Sequence, residues 1–322
     1  MRTRALIVIA AALVATAGIV GVRYHADLDA AHARIARSSI ATTPCGRIEY
    51  SDSGAGRPPV LIVHGAGGGF DQGEDIGAPL LRDGMRVIAM SRFGYLRTPL
   101  PGDASAEAQA DAHACLLDAL GVARAAVVGV SAGAPSSMQL AIRHPGRVSA
   151  LVLIVPATYV PRPGGAPSVK TPPRTEFLFN TALKSDFLFW AASHLARGTM
   201  TQSILGTSPD VVAGASPAEK ERVQYVMSAI LPLSGRQQGL VNDARVTSGI
   251  KRYELERIQA PTLAISLADD LYGTYEPARY TAALVPNGRF VGYATGGHLW
   301  VGHQADVVDT VTQFLRSNHR ER

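Results

Sequence analysis

The first candidate for chemistry is a G-x-S-x-G pattern centred on Ser131, between an apolar strand predicted over 125–130 and a predicted helix. A nucleophile on such a tight turn is forced into a strained backbone conformation, and bulky neighbours would clash with the turn. Gly129 and Gly133 supply the small neighbours. The pattern therefore predicts Ser131 as a nucleophile, with the Ala132 amide at the helix start stabilising a developing oxyanion.

A second candidate is the glycine-rich stretch HGAGGG at residues 64–69, which follows a strand predicted over 59–63. Such a turn can bring a backbone amide close to a bound carbonyl and complete an oxyanion hole. Ala66 and Gly67 are both candidate donors, and the sequence does not choose between them. His64 is expected to support the loop. The stretch lacks the Lys-Ser/Thr ending of a P-loop and the spacing of a dinucleotide-binding fingerprint.

The candidate base is His298, which follows the last predicted strand within a run of small residues. It would accept the serine proton and later return it to the leaving group. His303 competes with it but falls at the start of the closing helix, where a surface or core position is expected. Two adjacent carboxylates, Asp269 and Asp270, follow a strand predicted over 262–267, and either would orient the imidazole.

The elements that must position these residues alternate between short apolar runs and helical stretches from Gly46 onward, which is typical of a mostly parallel sheet covered by helices. The alternation stops after a Pro- and Gly-rich linker and resumes near residue 259. We therefore predict a core over 46–160 and 259–322, with a helical insertion over 161–258. The predicted strands are 47–51, 59–63, 85–90, 125–130, 149–155, 262–267 and 289–293, and the predicted core helices are 71–83, 105–120, 132–144, 277–284 and 305–316.

HGAGGG after a strand, GVSAG at the turn, a helical insertion, an Asp after a late strand and a terminal Gly-Gly-His together resemble the α/β-hydrolase family. The resemblance covers Gly46 to the carboxyl terminus, in the family's order of nucleophile, acid and histidine. It implies an eight-stranded, mostly parallel sheet with helices on both faces and an inserted helical cap. Family spacing favours Asp270 as the acid, although Leu267 stands where the family usually has Gly. Asp269 stays open, and the unused carboxylate is expected to be a solvated turn residue.

The resemblance implies a carboxylic ester hydrolase that cleaves a small or medium apolar ester, thioester or lactone through an acyl-enzyme, with no cofactor or metal. Ser131 argues against the haloalkane dehalogenase and epoxide hydrolase branches, which need a carboxylate at that position. A carbon-carbon bond hydrolase and a haloperoxidase-like enzyme are alternatives within the same fold. Alternatives of another class are a receptor-like binding protein with little turnover and a membrane-anchored scaffold.

The predicted cap contains an unusual concentration of aromatic residues over 175–190. An apolar substrate pocket, docking of the cap onto the core and a membrane-facing patch would each account for it. The polar stretch 238–243 is interpreted as solvated surface. The aromatic residues are Phe177, Phe179, Phe187, Phe189 and Trp190.

The amino terminus has the pattern of a targeting segment, since Arg2 and Arg4 precede a charge-free run over 5–22. We predict a signal peptide or a membrane anchor over 1–22, with cleavage left open. The positive-inside preference places the remaining chain outside the cytoplasm, on the periplasmic or extracellular face of the cell envelope. Residues 23–45 show no apolar stripe wide enough to pack tightly and are predicted to be a tether.

Composition narrows the class of protein. With 322 residues, 47% hydrophobic and 18% charged, the chain can bury a large core, which argues against intrinsic disorder. The net charge of +5 comes from basic residues scattered among acidic ones, so no nucleic-acid partner is expected. A small-molecule substrate is the expected partner, and the oligomeric state is left open.

The chain has two cysteines, Cys45 and Cys115, in neither a metal-binding nor a redox spacing. An exported compartment would permit one disulfide between them. Cys115 falls among apolar residues in a helical pattern, which favours a buried free thiol.

Overall fold

A computed structural model describes residues 2–161 and 185–319, which are built around one sheet. Its strands are β1 Ser39–Thr43, β2 Gly46–Ser53, β3 Pro59–Val63, β4 Arg86–Met90, β5 Ala125–Val130, β6 Val148–Ile154, β7 Thr262–Leu267 and β8 Gly288–Tyr293. The spatial order is β1-β2-β4-β3-β5-β6-β7-β8. The pairs β1–β2 and β2–β4 are antiparallel and the other neighbours are parallel. The predicted eight-stranded, mostly parallel sheet is confirmed.

Helices cover both faces of this sheet. Successive side chains of a strand point to opposite faces, so Leu61 and Val63 join one apolar core while Val60 and Ile62 join another. The helices are α1 Arg2–Ile35, α2 Phe70–Arg82, α3 Ala106–Ala119, α4 Ala134–Arg143, α5 Asp186–Leu195, α6 Arg197–Ile204, α7 Pro209–Gly214, α8 Pro217–Ser228, α9 Gln237–Ser248, α10 Tyr275–Leu284 and α11 Gln304–His319. Helices α3, α4 and α10 pack on the first core, and α2 and α11 on the second.

The chain between β6 and β7 contains helices α5 to α9, in agreement with the helical pattern of the sequence. These helices enclose a small apolar core, to which Phe189, Trp190 and Met200 contribute buried side chains. Ala31 of α1 and two residues after β8, Leu299 and Val301, complete this core. Phe187 is exposed on the outer side of α5. Phe177 and Phe179, which belong to the predicted aromatic concentration, lie outside the described residues.

Residues 23–45, predicted as a tether, instead extend α1 to Ile35 and then form the edge strand β1. The sheet therefore begins before the predicted start at Gly46. The contacts that hold this part of α1 come from positions about one helical turn apart, and three of the four side chains carry polar groups, so no apolar stripe marks them in the sequence. These positions are Tyr24, Asp27, Ala31 and Arg34.

The first part of α1 is long and apolar enough to cross a membrane, and its most apolar stretch is not buried against the rest of the protein. This agrees with the apolar segment predicted over 1–22. Such a helix is compatible with a signal sequence as well as with a retained anchor. Export and location in the cell envelope stay predictions.

Cys45 and Cys115 form a disulfide, which corrects the interpretation of Cys115 as a free thiol. The bond joins the turn between β1 and β2 to helix α3, with the Cα atoms 6.1 Å apart. The sequence did not reveal this pairing because the two residues are 70 positions apart and β1, which brings the turn to the helix, was not predicted.

Candidate active site

Ser131 lies directly after β5 and adopts a left-handed backbone conformation with φ of +50°. Close contacts with neighbouring atoms leave no room for a side chain at either of the two glycines beside it. A Cβ atom at Gly129 would lie 2.4 Å from Ser137 Oγ, and one at Gly133 would lie 2.5 Å from the carbonyl oxygen of Val63. The strained turn predicted from the G-x-S-x-G pattern is therefore present, and the packing around it excludes larger residues.

The structure brings the three predicted side chains into one hydrogen-bonded line. His298 Nε2 lies 2.9 Å from Ser131 Oγ, and His298 Nδ1 lies 2.9 Å from Asp270 Oδ2. His298 and Asp270 are both buried. With the Nδ1 proton donated to the carboxylate, Nε2 is left free to accept the serine proton. Among residues 2–161 and 185–319, no cluster of three or more His, Cys, Asp or Glu side chains is placed to bind a metal ion.

The Asp270 carboxylate is held in its ionised form. Burial alone would raise its pKa, but the His298 ring and hydrogen bonds from His298, the Thr274 hydroxyl and the Tyr272 amide hold the pKa below its usual value. An ionised acceptor at Oδ2 orients the imidazole and stabilises its protonated form.

Asp269 is not the solvated turn residue that the sequence suggested. Its carboxylate accepts hydrogen bonds from the Gly296 amide at 3.0 Å and from the Gly297 amide at 2.8 Å. Both glycines have positive φ angles, of +130° and +63°, so their backbone needs glycine. Asp269 therefore holds the turn that carries His298, while Asp270 contacts the ring itself. Nothing in the local sequence indicates a bond between residues 27 and 28 positions apart.

The loop 64–69 passes beside the serine, since a Cβ atom at Gly65 would lie 3.3 Å from Ser131 Cβ. The Gly67 amide donates a hydrogen bond to the Tyr95 hydroxyl at 3.2 Å. Within the described part of the chain, the Ala66 and Ala132 amides have no hydrogen-bond acceptor. Of the two candidate donors left open by the sequence, only Ala66 thus keeps its amide available.

His64 supports this loop, as the sequence analysis expected. Its Nδ1 lies 2.7 Å from the Gly65 carbonyl oxygen, and its Nε2 accepts a hydrogen bond from the Arg92 amide at 2.9 Å. Burial, reinforced by the positive charges of Arg92 and Arg236, lowers its pKa well below the usual value. A neutral ring suits this role, because one nitrogen donates while the other accepts.

A buried ion pair connects the loop to helix α9 of the insertion. The Arg92 guanidinium binds the Asp243 carboxylate at 2.6 and 2.7 Å and donates to the carbonyl oxygens of His64 and Gly65. The Tyr95 hydroxyl, which accepts the hydrogen bond from the Gly67 amide, donates to the Asp243 carboxylate at 2.5 Å. Asp243 belongs to the stretch 238–243 that the sequence analysis interpreted as solvated surface, so this residue is a correction.

A second buried ion pair holds the other end of the loop. Arg236, which is fully buried, donates to the Gly68 carbonyl oxygen at 2.6 Å and binds the Asp71 carboxylate at 2.8 Å. Arg34 of α1 binds the same carboxylate at 3.2 Å. Burial would raise the pKa of Asp71, but the two arginines lower it below its usual value. The loop is therefore held jointly by the insertion and by α1.

The insertion also closes over the histidine side of the site. The Tyr272 ring packs edge-on against His298 with ring centres 4.8 Å apart, and its hydroxyl donates to the carbonyl oxygens of Ser203 and Ile204. The Gly206 carbonyl oxygen accepts the His298 amide at 3.3 Å. Together with the two ion pairs, these contacts place the insertion against the loop 64–69 and against the histidine side of the site.

Comparison with known proteins gives one matching family profile, described as alpha/beta hydrolase fold, over residues 58–301. A solved alpha/beta hydrolase fold protein from Nakamurella multipartita aligns with a TM-score of 0.67 and 29% identity over 87% of this chain and 99% of that one. An enol-lactonase from Burkholderia xenovorans LB400 aligns with a TM-score of 0.64 and 20% identity, over 88% of this chain and all of that one, which shows the fold alone.

Curated relatives carry hydrolase names. A 2-hydroxymuconate semialdehyde hydrolase of Pseudomonas sp. strain CF600 is 38% identical over 34% of this chain and 39% of its own length. The matched segment thus spans less than half of that relative. A 2-hydroxy-6-oxononadienedioate/2-hydroxy-6-oxononatrienedioate hydrolase of Burkholderia vietnamiensis is 27% identical over 84% of this chain and 91% of its own length.

Proposed function

The chain belongs to the alpha/beta hydrolase fold family, and from that premise we propose that it is a serine hydrolase with Ser131 as nucleophile, His298 as base and Asp270 as acid. The observation that carries the proposal is the continuous line from Asp270 through His298 to Ser131, with both hydrogen bonds at 2.9 Å. This line ends at a serine held with φ of +50°, the strained geometry expected of a nucleophile on a strand-to-helix turn.

In the proposed reaction, Ser131 Oγ attacks a substrate carbonyl carbon while His298 Nε2 takes the hydroxyl proton. The negative charge that develops on the carbonyl oxygen is stabilised by the amides of Ala66 and Ala132. His298 then gives the proton to the leaving group, and the acyl-enzyme remains. A water molecule, deprotonated by His298, attacks the acyl carbon and releases the acid and the free serine.

For the substrate we propose a small or medium, uncharged and rather apolar ester, thioester or lactone. Both arginines beside the loop already bind carboxylates, Arg92 with Asp243 and Arg236 with Asp71. A substrate carboxylate in this region would compete with these buried pairs, whereas an uncharged acyl group would not. The side chain nearest a Cβ placed at Gly67 is the apolar Ile230.

Hydrolysis of a carbon-carbon bond is the second candidate, because the curated relatives named above are hydrolases of 2-hydroxymuconate semialdehyde and of hydroxy-oxo dienedioates. The same serine, histidine and aspartate would serve that reaction. The charge argument separates the two candidates, since those dioate substrates carry carboxylates and the uncharged ester, thioester or lactone proposed above does not.

A fluorophosphonate probe tests the serine directly on the full chain purified in detergent. We expect wild type to be labelled and Ser131→Ala and His298→Ala to remain unlabelled. His303→Ala is the matched control, because His303 lies five residues further along, packs at a tilt against the Tyr293 ring and is not bonded to the serine. A folded wild type that takes no label would contradict the proposal and favour a binding protein with little turnover.

Substrate class is tested by turnover of uncharged p-nitrophenyl esters and lactones beside 2-hydroxymuconate semialdehyde, each with wild type and Ser131→Ala. We expect serine-dependent hydrolysis of the uncharged compounds with kcat/KM at least ten times that for the semialdehyde. The reverse order would assign the chain to carbon-carbon bond hydrolysis, with the same nucleophile.

A further inference from the structure

Helix α5 of the insertion is apolar on two faces. Its inner face buries Phe189 and Trp190 in the core of the insertion. On the outside, Phe187 and Leu188 are 43% and 42% exposed, and Leu195, two turns further along, is 88% exposed. A surface helix normally turns polar residues outward, and contiguous exposed apolar side chains mark a contact surface. We call Phe187, Leu188 and Leu195 the outer face of α5.

The outer face of α5 lies beside the end of the apolar part of α1. Residues 3–22 of α1 form about six helical turns and extend about 30 Å, which matches the thickness of a bilayer's hydrocarbon core. Immediately after them, the Tyr24 ring packs edge-on against Phe187 and Trp190, with ring centres 5.2 and 5.6 Å apart. Trp190 also donates its indole proton to Asp27 at 2.7 Å. These contacts place α5 where the apolar helix ends.

The position of α5 relative to α1 is fixed by further contacts. Helix α1 continues without a break to Ile35, and Ala31 is buried against the insertion. Arg34 donates to the carbonyl oxygens of Ala229 and Leu231 at 3.0 and 2.8 Å and also binds Asp71. No flexible segment therefore lies between the apolar part of α1 and the surface that holds α5.

We propose that α1 is retained in a phospholipid bilayer and that the outer face of α5 inserts into the interfacial layer of the same bilayer. Aromatic and aliphatic side chains at that depth exchange water for lipid. The Tyr24 phenol, which packs against Phe187 and the buried Trp190, sits at the boundary between the apolar span and the polar domain, where amphipathic rings are favoured. The insertion then contacts the membrane surface. This contact fixes the orientation of the enzyme relative to the bilayer and therefore determines which face of it meets lipid-dissolved substrates.

Position 195 offers a clean site for a probe. The chain has two cysteines, which are bonded to each other, so Leu195→Cys introduces a single free thiol. Val241→Cys is the matched control, because Val241 is 72% exposed on α9, another helix of the insertion. Each variant of the full chain, with its amino terminus verified by mass, is labelled with an environment-sensitive fluorophore and reconstituted into phosphatidylcholine-phosphatidylglycerol vesicles.

Quenching by spin-labelled lipid is then compared with quenching by aqueous iodide. We expect spin-labelled lipid to quench the probe at position 195 at least threefold more than the probe at 241, and iodide to show the opposite order. Equal quenching of the two probes would overturn the proposal. So would protection of position 195 from both quenchers, which would indicate contact with a second copy, or failure of the full chain to float with the vesicles.

Discussion

The serine turn and the loop 64–69 face the same reaction centre but are held in place by different means. Ser131 is positioned by a strand, two glycines and a helix start within a few residues of it. The loop is held by Asp243 and Arg236, whose partners Arg92 and Asp71 lie 151 and 165 positions away. The difference teaches that the nucleophile is set by local backbone geometry, whereas the oxyanion donor beside it depends on the insertion.

The largest expected effect distinguishes the two adjacent carboxylates, Asp269 and Asp270, in the part of the site that nearby residues position. Asp270→Asn removes the charge that stabilises the protonated imidazole and should lower kcat by about 10⁴-fold. Asp269→Asn keeps one acceptor oxygen for the Gly296 and Gly297 amides, so we expect a loss of about fivefold in kcat, from one hydrogen bond of roughly 1 kcal/mol. Steady-state kinetics on an ester substrate, with thermal melts of both variants, measures the contrast.

An Asp269→Asn variant that loses as much activity as Asp270→Asn, with an unchanged melting temperature, would transfer the role of acid to Asp269. The local sequence would then predict that the acid lies at the end of β7, but it would not predict which of the two residues is the acid.

The next effect concerns the long-range side. Asp243→Asn leaves the Arg92 guanidinium buried without its counter-charge, which should lower the free energy of unfolding by about 3–5 kcal/mol. The double variant Arg92→Met with Asp243→Leu removes both charges and should recover part of that loss. Urea unfolding of the three proteins measures both changes. A loss below about 1 kcal/mol in the single variant would mean that the ion pair does not hold the loop.

The sequence predicted the parts of the fold and site that depend on nearby residues. Strand β7 was predicted with its observed bounds, and Ser131, Asp270 and His298 were each placed at a strand end. These features follow from short apolar runs and small residues at turns. The sheet topology followed from the alternation of strands and helices together with the family resemblance.

The features that the sequence did not predict depend on contacts between distant residues. Asp243 is one polar side chain among several on α9, and only the fold brings it to Arg92. The docking of α1 relies on a mixed set of polar and small residues. The disulfide relies on strand β1, which the composition of residues 39–43 does not predict. Asp269 looked like a solvated turn residue because the groups that donate hydrogen bonds to it are backbone amides, which no residue type reveals.

A third effect tests the steric basis of the serine turn. Gly133→Ala places a Cβ atom against the carbonyl oxygens of Val63 and His64, at 2.5 and 2.6 Å, and should lower the free energy of unfolding by about 1–3 kcal/mol. Gly146→Ala is the matched control, because a Cβ there would meet no atom within 4 Å. Chemical denaturation compares the two. Equal stability of the two variants would show that the turn is not sterically constrained.

The smallest expected effect compares the two regions through pH. Burial lowers the pKa of His113, which lies behind the serine turn against Ser136, from 6.5 to about 3. Its contribution to stability is therefore complete above pH 6.5 and is lost as pH falls toward 3, because the unfolded chain binds the proton first. Between pH 7 and 5.5 the free energy of unfolding should fall by about 1 kcal/mol from this residue alone.

Urea unfolding across that pH range measures this contribution. The fall in the free energy of unfolding should be smaller by this amount in His113→Gln, whereas Ser136→Ala, which removes only the hydrogen-bond partner, should show the same fall as wild type. His64 gives the matching measurement on the loop side, where Arg92 and Arg236 add to the effect of burial. His64→Gln should remove a similar share, because in that range only the unfolded chain takes up the proton for either residue. If neither substitution changed the dependence of the free energy of unfolding on pH, both rings would already accept a proton in the folded enzyme. Burial would then not keep either ring neutral.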